Sequence, residues 1–507
     1  MKKYLIKLSI LILVFNVGSC EKYLDINQDP DVLGTTDAPE IILPAAQVSL
    51  ANTLMGWDFG FGGGYWSQYW TQSYTASQFK TLCEYTETSF DVAYQDLTAI
   101  TLTDLKRIKT LASEPEDLGY YYVAEALSIF TWQIMTDVWG DVPYTEALQG
   151  NEGIKSPVFD NGTDIYADLM TRVDALLAID PSDAYVVEKF DFIYGGEMTD
   201  WIKFTNSLKL KLMLRQSETS NYNNANTLSF VMNNEFLETS AKIDGSTYWD
   251  DSKEGKKHPM REFSTGGANY LSTNVIGCKS FIDYLSSNSD PRIDVLFEAP
   301  DSGHQGAFFG DFDSKTDSSG SGTNDEDEDY SEPIFTATMD IMIMSDWEVN
   351  FYLAEVYARA NDNTNAKAYY DMAVTASLGQ HAIASTDIIT SGYAVWGAGT
   401  EEENIKQIAM QKWVSNANYQ HIESFLERNR TKYPAVNDID IKLDRNAAFL
   451  AFPTGDLTIS VNGRDKTNGN LPASPVYPNR VLTRNINAPG QKTDLLEKIW
   501  WDQKVGK

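Results

Sequence analysis

The chain has 507 residues, of which 42% are hydrophobic and 22% charged, a balance that excludes disorder over most of its length. Its 72 Asp and Glu outweigh 40 Lys and Arg for a formal charge of -32, which argues against nucleic acid or an anionic lipid surface as the main partner. Aromatic residues reach 12% while only four His are present, which favours a reader of uncharged surfaces over a histidine metalloenzyme.

At the start, Lys2, Lys3 and Lys7 accompany an apolar run from Leu8 to Phe15 that is too short to span a bilayer. The run ends in Val17-Gly18-Ser19-Cys20, which resembles the bacterial lipoprotein processing box. Residues 1–19 therefore read as a signal peptide, and Cys20 as the lipidated first residue of the mature chain. No other stretch approaches the length of a membrane helix, so membrane attachment is expected by the lipid anchor only. Cys83 and Cys278 remain; a disulfide and two small buried thiols are both open readings.

Residues 56–82 read as an irregular segment. Gly60-Phe61-Gly62-Gly63-Gly64 lacks the Lys and Ser/Thr of a phosphate-binding loop, and Tyr65 takes the last glycine position of a dinucleotide fingerprint, so a flexible loop is expected. Around it lie Trp57, Phe59, Phe61, Tyr65, Trp66, Tyr69, Trp70 and Tyr74, interleaved with Gly, Ser and Gln. Aromatic faces stack on uncharged sugar rings while polar neighbours hydrogen-bond their edges. Trp249, Tyr270 and Trp396, in other long segments, would extend such a platform. The competing account is that these rings seal loops against the core.

Helical periodicity follows over 86–110, 117–136, 160–179 and 198–216. Ser345-Asp346-Trp347-Glu348 has the form of a capping box, after which Trp347, Phe351, Ala354 and Ala358 form one stripe and Ala366, Tyr369, Tyr370 and Ala373 another. Residues 345–378 thus read as a helical hairpin of the tetratricopeptide type. A further helix is expected over 402–428. The fold class is mostly α: a tetratricopeptide-like helical hairpin scaffold carrying long irregular stretches at 241–277, 296–343, 379–401 and 431–496.

Catalytic and metal signatures are weak. Asp325-Glu326-Asp327-Glu328-Asp329 reads as a solvated acidic loop, with a calcium-assisted loop as the alternative. The nearest formal calcium match, Asp311 to Lys315, places Lys315 at an oxygen-ligand position and Thr316 where a glycine is required. His258, His304, His381 and His421 are dispersed, and no G-x-S-x-G elbow occurs. No catalytic residue, metal ligand or cofactor is nominated.

One series of motifs is more specific than any of these. Asp137-Val138-Trp139-Gly140-Asp141-Val142-Pro143-Tyr144 is followed in order by Asp200 to Leu210 with Asn206, then Arg215, Ala354 to Ala360, Gln411-Lys412-Trp413, Glu423 to Arg430, Leu471-Pro472 and Tyr477-Pro478-Asn479. Together with Cys20 this series resembles the SusD/RagB-like outer-membrane lipoproteins of Bacteroidetes along essentially the whole chain. On their own chemistry, Gly140 and Pro143 suit a tight turn and Asp141 suits capping of its amides. Asn206 and Arg215 suit interhelical ties, and Trp413 with Lys412, Arg428 and Arg430 suits anchoring of the C-terminal region.

The resemblance implies one domain over 20–507, with loop-rich insertions at 56–82, 241–343 and 379–401 and an irregular C-terminal region at 431–496. It implies four tetratricopeptide-like helix pairs, a position on the outer membrane facing the cell exterior, and a SusC-like TonB-dependent porin as partner. The implied activity is capture of oligosaccharides without turnover, with Trp57, Tyr65, Trp66 and Tyr270 as the nominated glycan-binding rings. A peptide-capturing importer subunit and a tethered glycan-processing enzyme are the rival classes.

Overall fold

The structure, a computed structural model, describes residues 38–72, 80–253, 255–265, 274–311, 330–443 and 445–506. Cys20 and the rest of the signal segment, Tyr74, Tyr270 and the acidic run 325–329 lie outside the described residues.

After α1 (Pro39–Leu54), eight helices pair along the chain. The first of them, α2, starts at Asp91–Asp96, passes through a π-helical turn at Leu97–Leu102 and ends with Thr103–Leu111; it packs on α3 (Leu118–Trp139). The second pair is α4 (Gly162–Leu177) with α5 (Met198–Arg215), followed by the lone helix α6 (Asn224–Asn233). Helix α7 (Lys279–Ser287) precedes the third pair, α8 (Asp346–Arg359) with α9 (Asn363–Gln380). The fourth is α10 (Glu401–Asn416) with α11 (His421–Thr431). The four pairs match the expected scaffold, while α1, α6 and α7 escaped the sequence reading.

Local chemistry explains the boundaries. The Ser345 hydroxyl accepts the amide of Glu348 at 3.1 Å, but the Glu348 carboxylate does not return to complete the box. It is buried instead and accepts from Lys211 and Tyr352, both at 2.8 Å. The reciprocal box lies at Thr400 and Glu403, at the start of α10. The single helix expected over 402–428 is broken because Asn418 adopts φ +64° and its amide donates to His421 Nε2 at 2.9 Å. In the third pair Phe351, Ala354, Ala366, Tyr370 and Ala373 share one apolar cluster, as the two stripes predict. Helix α3 is buried nearly all round, as befits a central core helix.

Short helices, such as Pro259–Thr265 and Asn479–Arg484, and short strand pairs cross the remaining segments. Trp70–Gln72 runs antiparallel to Val275–Gly277, with Trp70 opposite Gly277, and Ala241–Ile243 pairs antiparallel with Ile341–Met344. Phe297–Glu298 pairs with Glu332–Pro333, and Val436–Asn437 runs parallel to Leu457–Thr458. Cys83 and Cys278 are both buried free thiols.

The helix pairs meet in a buried network of charge. Arg215 donates to Asp137 at 2.8 Å, Glu423 at 2.7 Å and Glu427 at 2.6 Å, joining α5 to α3 and α11. Lys211 bridges Glu348 and Glu423 at 2.8 and 2.9 Å. Arg430 pairs with Glu355 at 2.6 Å and Glu427 at 2.8 Å. Lys412 lies 3.0 Å from Glu427 and 3.7 Å above the Tyr352 ring. Burial alone would raise Glu423 and Glu355; Arg215, Lys211 and Lys412 overcome it at Glu423, and Arg430 with Arg359 at Glu355, holding each at about 2. At Asp137 burial prevails over Arg215 and the carboxyl is pushed up.

Two predictions follow from this network. Replacing Arg215 with Met leaves Asp137 without its cation and takes one partner each from Glu423 and Glu427, and is expected to cost about 3–5 kcal/mol in chemical denaturation; an unchanged midpoint would show the network to be dispensable. Glu423 and Glu355 have folded values below the ordinary 4.5, so their stabilisation is complete above that pH and disappears as pH falls from 4.5 towards 2. Thermal unfolding followed by circular dichroism is therefore expected to drop steeply across that window, and less steeply in Glu355→Gln.

Candidate functional site

The aromatic segment is helical and closely packed where a flexible loop was expected. Trp57–Gly62 forms a π-helical turn and Gly63–Trp66 continues as α-helix. Its glycines are spacers for close contact. A Cβ on Gly63 would stand 2.5 Å from the Ile422 amide nitrogen, and one on Gly60 would stand 2.8 Å from the Met55 carbonyl oxygen. The segment thereby lies directly on the start of α11, where His421 Nδ1 donates to the Gly60 carbonyl at 2.7 Å. Because its Nε2 accepts from Asn418, His421 is a neutral imidazole, and burial lowers it to about 4.

This packing corrects two of the nominated glycan-binding rings. Tyr65 is fully buried and Trp66 is 3% exposed. Trp66 packs between Phe90 and Phe425, each at 5.1 Å, and its indole donates to the Leu82 carbonyl at 3.3 Å. Tyr65 meets Trp70 edge-on. Phe59, Phe61, Tyr69 and Trp70 are sealed in the same core, Trp396 is buried against Tyr370, and Trp249 is half-buried beside His258. For these residues the sealing account holds: the backbone approach that the glycines permit drives the side chains inward.

Trp57 is the exception, at 38% exposure. Its ring leans on Phe61 at 5.5 Å and Phe263 at 5.3 Å and forms one wall of a cavity of about 270 Å³. Asp58, Thr81, Glu87, Thr88 and Asp91 line the remainder. Asp58 accepts the amide of Ala93 at 2.8 Å and so fixes the first turn of α2, while Phe90 enters that helix at φ +52°. Burial raises the Asp58 carboxyl, against the backbone donors at Ala93 and Val92. Hydroxyls, carboxylates and one aromatic face suit a polyhydroxylated or cationic ligand. Sequence reading missed Glu87, Thr88 and Asp91, because no spacing rule connects them to Trp57.

The motif residues occupy structural positions. Trp139 is fully buried and its indole donates to the Ser89 carbonyl at 2.9 Å, tying α3 to the cavity wall. Gly140 has φ +84°, open to glycine and strained for other residues. Asp141 caps the amide of Gly162, at the start of α4, at 2.8 Å, rather than the amides of its own turn. Those of Tyr144 and Thr145 are taken by Asp160 at 2.9 Å. Asn206 donates to the Glu235 carbonyl at 2.9 Å, tying α5 to the segment after α6. Trp413 donates to the Ser67 carbonyl at 2.9 Å and stacks with Tyr69, so it anchors the N-terminal aromatic segment and not the C-terminal region. Arg430 likewise belongs to the interhelical network, while Arg428 reaches the Pro434 carbonyl at 3.4 Å.

Among the described residues no group of three or more His, Cys, Asp or Glu could hold a metal ion. Asp311, from the formal calcium match, pairs with Arg445 at 2.9 Å. No described helix is long and apolar enough to cross a membrane.

A scaffold of helical hairpins with a cavity walled by an aromatic face, hydroxyls and carboxylates has the features of a binding protein. Comparisons identify which kind. The model of the SusD-like family described as "Starch-binding associating with outer membrane" matches residues 31–450. The chain belongs to this SusD-like family of outer-membrane nutrient-binding proteins. Solved relatives share the fold at low identity. A SusD homolog from Bacteroides uniformis is 19% identical, with TM-score 0.69 over 91% of this chain and 99% of that one. A SusD homolog from Bacteroides thetaiotaomicron is 19% identical, with TM-score 0.68 over 92% and 99%. A chitin-binding SusD homolog from Flavobacterium johnsoniae is 17% identical, with TM-score 0.69 over 92% and 99%. No curated protein matches the chain.

The glycine spacing has a direct test. Gly63→Ala places a methyl against backbone that has nowhere to move, and is expected to cost about 1–3 kcal/mol of stability. A variant as stable as the parent in thermal unfolding would show that the contact relaxes freely.

Proposed function

We propose that this protein captures extracellular oligosaccharides in the Trp57 cavity and delivers them to a SusC-like TonB-dependent porin. The observation that carries the reading is Trp57 itself, the ring of the aromatic segment left open over a cavity of hydroxyls and carboxylates. Thr81, Thr88 and Ser89 offer groups that hydrogen-bond sugar hydroxyls, while the exposed indole covers a C–H face. Tyr270 remains a candidate second ring. The chitin-binding relative lends the ligand class support. Lipidation at Cys20 would hold the body at the outer face of the outer membrane. Tethering raises its concentration at a porin mouth, so binding and release suffice and bond cleavage is left to separate enzymes.

A second reading is favoured by one feature of the same cavity. Asp58, Glu87 and Asp91 line it and, among the described residues, no Lys or Arg does, so a basic peptide is the alternative cargo.

Calorimetric titration of the purified protein with chitin and starch oligosaccharides, and separately with tri-lysine, distinguishes the two. The glycan reading expects saturable binding of a neutral oligosaccharide that is recovered intact, and a loss of about tenfold or more in Trp57→Ala. Full affinity in that variant would refute the site, and preferential binding of tri-lysine would establish the peptide reading.

A further inference from the structure

A second cavity, also bordered by α2, has a different character. It encloses about 290 Å³ and draws its walls from the start of α2, from α3, from the turn after α3 and from residues 480–485. Pro143 and Pro157, together with Leu148 and Val481, give it an apolar surface, while Lys155, Arg480 and Arg484 form its rim. Among the described residues no carboxylate lines it. In a chain of formal charge -32 such a place is the exception and calls for a reason.

The rim is only partly neutralised from outside. Arg480 lies 3.7 Å from Asp91 and contacts Gln95. Lys155 and Arg484 are exposed and form no ion pair among the described residues. Glu146 stands behind the wall, accepting the Val158 amide at 2.9 Å, so Lys155 and Arg484 are the rim cations left without an acidic partner among the described residues.

Two aromatic residues supply the second, independent observation. Tyr94 and Trp132 are 6% and 5% exposed, and both line the cavity. The Tyr94 hydroxyl and the Trp132 indole N–H hydrogen-bond to no described residue, yet neither is among the atoms fully covered by protein. Both side chains line the cavity, and both donors keep some exposure. Two donors without a protein partner at one cavity, under a cationic rim, offer an acceptor-rich anion hydrogen bonds as well as charge. Trp132 is held edge-on against Tyr144 at 5.0 Å, and Tyr94 against Trp139 at 5.0 Å, which keeps both rings fixed before any ligand arrives.

The size selects among anions. Sites for drug-sized molecules begin at about 300 Å³, so this cavity accommodates one ring rather than a chain. Apolar walls suit the C–H face of a pyranose, the two donors suit its hydroxyl or ring oxygens, and the rim suits a carboxylate. We propose that this cavity is a subsite for a single carboxylate-bearing sugar ring, a hexuronate, distinct from the Trp57 cavity. The two cavities meet across the Asp91–Arg480 pair, since Asp91 lines the first and Arg480 the second. A glycan with a neutral segment and an acidic branch would satisfy both. The proposal does not require the Trp57 reading: its ligand, residues and charge preference are separate.

The test is calorimetric titration of the purified full chain with D-glucuronate and tri-galacturonate, with glucose as the neutral control and triglutamate as the acidic peptide control. Saturable binding of the sugar acids and none of glucose is expected, weakening as salt is raised. In Lys155→Ala/Arg484→Ala, two exposed changes that leave the core untouched, affinity is expected to fall about tenfold or more. Trp132→Phe, which keeps the ring and removes the donor, is expected to weaken binding severalfold at an unchanged unfolding temperature, whereas Trp57→Ala leaves it unaltered. The proposal is overturned if neither sugar acid binds at millimolar concentration, if glucose binds equally, if triglutamate is preferred, or if the double variant binds as the parent does. Loss of neutral-glycan binding in Trp57→Ala, with uronate binding retained, would separate the fate of this proposal from that of the Trp57 site.

Discussion

Everything in this scaffold leans on four cations held inside the protein by carboxylates from other helices. Lys211 and Arg215 on α5, Lys412 on α10 and Arg430 on α11 face Asp137, Glu348, Glu355, Glu423 and Glu427. Moving one such charge out of water without a partner costs several kcal/mol, so the helices are required to meet in a particular register. Greasy stripes alone tolerate sliding by a turn. Ion pairs of 2.6 to 2.9 Å do not, because a shift of one turn leaves each charge facing hydrocarbon.

That rigidity passes outward to the cavities. Helix α3 carries Asp137 in the network and, two residues on, Trp139, whose indole holds the Ser89 carbonyl beside the Trp57 cavity. Residue 132 of the same helix lines the second cavity. Helix α2, whose first turn Asp58 fixes, lines both. Two cavities of contrasting charge thus share one helix as part of their walls.

How much of this was legible beforehand depends on the range of the interaction involved. The stripes of the third helix pair were readable because residues a turn apart in sequence share a face. Gly140 was readable because a positive φ is a local demand. The glycine run at 60–64 was misread as flexibility: glycine serves a loose loop and a tight approach equally, and the partner is α11, hundreds of residues away. Tyr65 and Trp66 were nominated for binding on the same ambiguity, since an aromatic ring stacks on a sugar or on Phe425 with the same chemistry. Asp141 was placed correctly in the turn yet caps α4, because its reach across the bridge between Val142 and Asp160 is a tertiary event.

By itself the sequence determined the family, the helical class, the negative field and the hairpin at 345–378, since each is written in local periodicity, composition or an ordered series of motifs. Only the tertiary structure decided which rings face solvent, which acids and bases neutralise each other, and where a basic cavity interrupts an acidic surface. Those outcomes depend on contacts between residues far apart in the chain, and a side chain's chemistry does not state whether its neighbour will be water or another helix.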